Sequence, residues 1–271
     1  MQQPEASKRL LEIIQDVAGG RYSNDIMELT RDEVPEPIRT VAEAMGMMMV
    51  KVEAREYRLE QLVRQLEELN RQIKRNTIAV VSAMAHALAA RDTYTEGHDA
   101  RVAAISSLLA RKLGMSDEEV EYVRLGGVLH DIGKIGFSDR LFNHHGKKNP
   151  PELIKEIIKH PLVGYEILSG LDFLGPALEY VRDHHERLDG SGYPRRIKGD
   201  QISLGARIIA VADGFDAMTT NRPYQKAMSP RTALEILRKQ SGKRLDPRVV
   251  DALAQLIDEG ALPLADEHPA D

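Results

Sequence analysis

A seven-residue apolar repeat runs through the first third of the chain and limits what that part can become. Ile38, Met45, Val52, Leu59, Leu66 and Ile73 occupy one position of the repeat; Val41, Met48, Leu62 and Leu69 occupy the other, with Arg55 as its interruption. A strand places alternate residues on one face, so this spacing does not suit a sheet, whereas a helix gathers positions three and four apart into one stripe. A period held at seven and flanked by Glu, Arg, Lys and Gln favours a coiled coil over a lone amphipathic surface helix.

Ahead of the repeat, Ser7 to Val17 reads as a short helix that Gly19-Gly20-Arg21-Tyr22-Ser23 breaks, with an extended connector leading to Asp32-Glu33-Val34-Pro35. Pro35 and Pro37 stand where a helix begins, where the first N–H groups have no intrahelical partner to lose. Short helix, Gly-containing connector, Asp-Glu-Val and a second heptad helix resemble a HAMP signalling module. That resemblance implies a homodimer, two chains pairing as a parallel bundle that continues into a parallel coiled coil.

From Asn76 onward the pattern becomes that of a globular helical domain. Helices are expected over Ala79 to Arg91, Ala100 to Leu113, Pro151 to His160, Pro161 to Ser169, Leu174 to His184, Leu204 to Ala217, Pro230 to Gln240 and Pro247 to Glu259. Ser116-Asp117-Glu118-Glu119 is a capping box that opens the helix expected to carry His130 and Asp131 and to end at Gly133. Alternating strand patterns are nearly absent, so the expected fold is all-α: a HAMP-like module and coiled coil over 1–75, a helical domain over 76–260 and a disordered tail over 261–271.

Cysteine is absent, which removes disulfides, thiolate metal sites and a Cys nucleophile; any metal must be held by nitrogen and oxygen. No run of eighteen apolar residues is present, and Met1-Gln2-Gln3-Pro4-Glu5 lacks the basic and apolar regions of a signal peptide. A cytoplasmic location is the expectation. A net charge of −5 gives no drive toward nucleic acid, so an anionic substrate would need a local basic pocket.

The chemistry-bearing residues are His130-Asp131, and His184-His185-Glu186-Arg187-Leu188-Asp189-Gly190-Ser191-Gly192-Tyr193-Pro194. His98, His160 and Asp213 bring the candidate ligands to seven, enough for two ions. Any one of them alone reads as an ordinary core or surface residue. His86 is assigned to packing, His144-His145 to a loop and His268 to the tail. Adjacent helical residues point about 100° apart, so His130 and Asp131 reach one ion only near a helix end, and Gly133 is expected to supply that freedom.

Taken together, these motifs resemble the HD-GYP family of phosphodiesterases over roughly residues 76 to 260. The resemblance implies one metal on His98, His130, Asp131 and Asp213, and a second on His160, His184 and His185, with Asp131 bridging. Some members carry a Glu four residues before the first His for a third ion; Tyr94 stands there, so two divalent ions are expected, iron first and manganese second. Lys134, in His-Asp-x-Gly-Lys, would contact a phosphate or leaving oxygen. Arg222 would take a phosphate in its guanidinium fork. Gln225 stands where the family often has a second basic residue. Gly192 and Tyr193 of the Gly-Tyr-Pro loop would line the substrate, and the loop's outer surface would meet GGDEF-domain partners.

The activity so implied is hydrolysis of cyclic di-GMP to pGpG, and onward to GMP, by water activated at a binuclear centre. A phosphodiesterase for 3′,3′-cyclic GMP-AMP, a non-hydrolytic receptor or adaptor, and a mononucleotide-directed HD hydrolase are the competing readings.

Overall fold

The structure is a computed structural model that describes residues 2–91, 97–138, 141, 150–221 and 226–263. Among these the regular elements are all helical, and the one extended pairing is an isolated bridge between Ser241 and Leu245. No helix among the described residues is long and apolar enough to cross a membrane. Two compact units are present, Met1–Arg75 and Asn76–Asp271.

In the first unit, α1 (Gln3–Ala18) ends at Gly19, and α2 (Glu36–Arg91) begins between Pro35 and Pro37. The connector is not extended as expected. Asn24–Thr30 forms a 3₁₀ turn capped by Ser23, whose hydroxyl accepts from the Asp25 N–H. Its cause is the spacing of Ile26 and Leu29, which places both on one side of a three-residue turn and buries them with Ala6, Ile13, Ile38, Ala42 and Met49. The buried stripe of α2 in this unit is Ile38, Ala42 and Met49, while Val41 and Met48 are exposed. Beyond it, Leu59, Leu62, Leu66, Leu69 and Ile73 all face solvent.

The heptad helix and the helix expected from Ala79 are one continuous element, because no Gly or Pro stands between Gly46 and Gly97. His86 is exposed on α2 rather than packed; Ala85, about 100° around the helix, is the residue that enters the core.

The second unit is built around α3 (His98–Lys112), α4 (Asp117–Leu129) and α7 (Leu204–Thr219), with α3 packed on both of the others. The capping box at Ser116 and Glu119 is formed in both directions, an arrangement worth about 1 kcal/mol. Gly127 lets α4 approach α3 closely: a β-carbon there would lie 2.8 Å from the Ala103 Cα. Helices α5 (Pro151–Leu168) and α6 (Ala177–Asp183) flank α4 and the 3₁₀ turn Ile132–Gly136, while α8 (Pro230–Arg238) and α9 (Pro247–Asp258) close the far side. The two helices expected on either side of Pro161 are a single helix containing that proline. Residues 264–271, most of the expected tail, lie outside the described residues.

Candidate metal centre

Helix α4 does not carry the His-Asp pair to Gly133 as expected: it stops at Leu129, with His130 as its C-cap, and a 3₁₀ turn follows over Ile132–Gly136. The change of helix type at the pair is what lets adjacent residues serve one site. Gly133 has a role other than the expected conformational freedom, since its φ is not positive. A β-carbon on Gly133 would strike the His160 carbonyl and lie 2.6 Å from the Gly164 nitrogen. The glycine is therefore what allows the His-Asp turn to press against the backbone of α5, bringing His160 to Asp131.

Four of the five histidines have their rings fixed through Nδ1. His130 donates to the Gly127 carbonyl at 2.8 Å, His160 to Ile157 at 2.6 Å and His184 to Val181 at 2.7 Å. His98 donates to the Asp216 carboxylate at 2.7 Å, and Arg101 bonds both oxygens of that carboxylate at 2.6 and 3.1 Å. A carbonyl or carboxylate oxygen accepts only, so Nδ1 carries the hydrogen and Nε2 is the atom turned toward the site. His185 is held differently, stacked on the Tyr193 ring with centroids 4.7 Å apart.

The Nε2 atoms converge on Asp131. Its Oδ1 lies 3.3 Å from His160 Nε2, and its Oδ2 lies 3.3 Å from His130 Nε2 and 2.5 Å from Lys134 Nζ. Two ligand groups result, His98, Asp99, His130 and Asp131 on one side and His160, His184 and His185 on the other, the ligand atoms of each lying within 4.8 Å of one another. Asp213 approaches His98, Oδ1 to Nε2 at 3.3 Å. The seven expected ligands are thus brought together, with Lys134 among them; Tyr193 lines the second group. Arg222, Gln225, Tyr94 and the pair His144-His145 lie outside the described residues.

Burial and charge divide the site. Burial opposes charge on His130, but the neighbouring Asp131 and then Asp213 and Asp99 outweigh it and hold the imidazolium up to about 10. Burial likewise opposes ionisation of Asp131, and His130, Lys134 and His160 pull it well below the usual carboxylate range. Burial pushes His185 down to about 3, and it lowers His184 and His160 as well. Burial also raises the Asp99 carboxyl and the Tyr193 hydroxyl. One side is therefore ionic, while the other presents neutral imidazoles with free Nε2 lone pairs.

The donor set fits divalent metal. His160 Nε2 and His184 Nε2 face each other at 3.4 Å with both Nδ1 hydrogens already committed. Two lone pairs at that separation repel unless a cation lies between them. Neutral imidazoles beside ionised carboxylates are the protonation states that metal ligation requires.

The Gly-Tyr-Pro loop is folded onto this centre by contacts that sequence reading left unassigned. Glu186, 3% exposed, accepts the Arg195 N–H at 2.6 Å and the Arg196 N–H at 2.9 Å through Oε1. A β-carbon on Gly192 would collide with Glu186 Cα, and the Tyr193 N–H donates to the His185 carbonyl at 3.3 Å. Asp216, Asp99 and Arg101 were also unassigned. Their one signal was position, since Asp216 lies a helical turn after Asp213, and Asp99 and Arg101 follow His98 within a turn.

The HD domain family model matches residues 82–249, well over half of the chain. The chain belongs to the HD domain family. The chain is also similar to the cyclic di-GMP phosphodiesterase response regulator RpfG of Xanthomonas campestris pv. campestris, with 42% identity over 64% of this chain and 46% of that one. It matches the 3′3′-cGAMP-specific phosphodiesterase 3 of Vibrio cholerae at 38% identity over 66% of this chain and 38% of the relative. The chain spans less than half the length of these relatives. Among solved structures, a cyclic GMP-AMP phosphodiesterase of V. cholerae (V-cGAP3) superposes with a TM-score of 0.54 at 21% identity, covering 67% of this chain and 48% of that one, which establishes a common fold.

Proposed function

We propose that this chain is a metal-dependent phosphodiesterase that hydrolyses cyclic di-GMP to pGpG and then to GMP. The carrying observation is that Asp131 turns one oxygen toward His130 and the other toward His160, so two nitrogen and oxygen ligand groups adjoin across a single carboxylate. Identity to curated cyclic di-GMP and 3′3′-cGAMP phosphodiesterases supports the reaction class. The second of these makes 3′,3′-cyclic GMP-AMP the alternative substrate.

His98, His130, Asp131 and Asp213 would hold one ion, and His160, His184, His185 and Asp131 the other. Mixed imidazole and carboxylate donors suit iron first and manganese second. Two such ions would supply Lewis acidity toward the phosphodiester and would lower the pKa of water enough to make hydroxide available as the nucleophile near neutral pH. Lys134, held beside Asp131, places a positive charge where a phosphate oxygen or the leaving oxygen gathers charge. Arg222 would take a phosphate in its guanidinium fork. Tyr193 keeps His185 in its plane and, with Gly192, forms the wall of the substrate pocket. Each turnover adds water across one P–O bond of the cyclic dinucleotide.

The first unit is proposed as a HAMP-like module that dimerises through the exposed Leu59, Leu62, Leu66 and Leu69 stripe of α2 and so regulates the HD domain in the cytoplasm. Exposed Ser191, Arg195 and Arg196 on the Gly-Tyr-Pro loop offer a surface to a GGDEF-type partner.

The test is anaerobic purification, metal analysis and a chromatographic assay with both cyclic dinucleotides on one preparation. Two metals per chain with pGpG or GMP appearing is the expected result. In Asp131→Ala both metal and turnover should disappear; full metal content and normal turnover in that variant would refute the site. Two metals without product from either dinucleotide would replace the enzyme with a receptor.

A further inference from the structure

Asp99 is a buried carboxylate turned toward the ionic side of the centre. It is 5% exposed at the start of α3, and its company is electrostatic: His130, His98 and Lys134 favour its charge and Asp131 opposes it. Its nearest ionisable company is His98, His130 and Asp131, whose ligand atoms share a 4.8 Å sphere with a carboxylate oxygen of Asp99. Buried carboxylates are normally hydrogen-bonded, paired with a charge or bound to a metal, because losing hydration without compensation is costly. An acidic residue in the first turn of a helix also gains from the helix dipole, but that gain is small and belongs mainly to exposed positions. It does not explain a carboxylate placed among metal-ligating side chains.

We propose that Asp99 is a further ligand of the ion on the His98 side, and that it sets the two subsites apart in metal preference. The inference rests on the binuclear reading above. With Asp99, the His98 side offers two imidazoles, His98 and His130, and three carboxylates, Asp99, Asp131 and Asp213. The other side offers three imidazoles, His160, His184 and His185, and the shared Asp131. Carboxylate-rich sites select manganese or magnesium, whereas imidazole-rich ones suit zinc, iron or nickel.

The experiment titrates Mn²⁺, and separately Zn²⁺, into the metal-free 271-residue chain and into Asp99→Asn and Asp99→Ala, reading bound metal by mass spectrometry and unfolding by thermal melts. Wild type should hold two Mn²⁺ per chain. The variants should lose one of these by weakening its affinity at least about tenfold, on the scale of metal-site disruptions generally. Zn²⁺ uptake at the imidazole-rich side should be unaltered. The metal-free variants should still melt cooperatively, which shows that the fold survives the substitution. Equal Mn²⁺ stoichiometry and affinity in Asp99→Asn and wild type would overturn the proposal. So would a lower metal-free melting temperature with Mn²⁺ uptake intact, which would make Asp99 a structural residue. If wild type itself took up no ion, the binuclear reading would fall, and Asp99 with it.

Discussion

His160 donates through Nδ1 to the Ile157 carbonyl at 2.6 Å, the carbonyl that Pro161 cannot bond because it has no N–H. In an unbroken helix that oxygen would accept from residue 161. The proline removes the competitor, and the imidazole takes its place with Nε2 directed at Asp131. A residue that ordinarily disrupts a helix here orients a side chain. Pro161→Ala should therefore raise thermal stability slightly while weakening metal uptake on the imidazole-rich side several-fold. Melting curves and Zn²⁺ titration of the same sample check both halves, and unchanged affinity would show that the proline does not orient His160.

Asp216 acts on the other side in a comparable way, fixing the His98 ring and being fixed by Arg101. Such outer partners of metal-ligating histidines are worth about 10–100-fold in affinity. Asp216→Asn keeps the shape but halves the acceptor capacity toward His98 and Arg101. Metal affinity should fall within that range, with helix content by circular dichroism unchanged; a variant that binds metal as wild type does would remove Asp216 from the positioning of His98.

The metal-free protein should be most stable near neutral pH, with losses on both sides. His130 is raised to about 10 from an ordinary value near 6.5, so its contribution is complete below about 6.5 and is lost as pH rises through about 10. His185, lowered to about 3, stays neutral in the fold while the unfolded chain takes up protons, so stability falls as pH drops from about 6.5 toward 3; His184 and His160 act in the same direction. Thermal melts from pH 4 to 10 test this. At pH 8, metal binding should also release the proton held by His130, giving a calorimetric heat that depends on the buffer's ionisation enthalpy.

The exposed stripe of Leu59, Leu62, Leu66 and Leu69 predicts a dimer. Light scattering at micromolar concentration should give twice the 30.3 kDa chain mass, and Leu62→Glu with Leu66→Glu should return it to the monomer. A monomeric wild type would leave α2 as a lone surface helix.

Helical content, the capping box at Ser116 and the residues that converge on Asp131 were legible in sequence because each depends on local spacing. His130 and Asp131 are neighbours, His184 and His185 are neighbours, and a heptad needs only its own chain to be read. The missed features are those where distant segments meet. The break at Gly19 to Ser23 was visible, but the 3₁₀ turn after it forms because Ile26 and Leu29 find a core supplied by α1 and α2. Pro161 signalled a helix boundary, yet a neighbouring imidazole takes up the carbonyl it frees, and α5 runs on.

The amino-acid sequence by itself determined which atoms are available: nitrogen and oxygen donors without sulfur, five histidines and two aspartates in separate motifs, and a long helix with an apolar seam. Tertiary structure alone decided that these atoms share one site. The His-Asp turn meets α5 because Gly133 has no side chain to hold them apart, and Asp131 then stands between His130 and His160. Asp99 and Asp216 acquired their places in the same way. Whether a carboxylate is solvated or aimed at a ligand depends on what packs around it, and that packing comes from helices far apart in the chain.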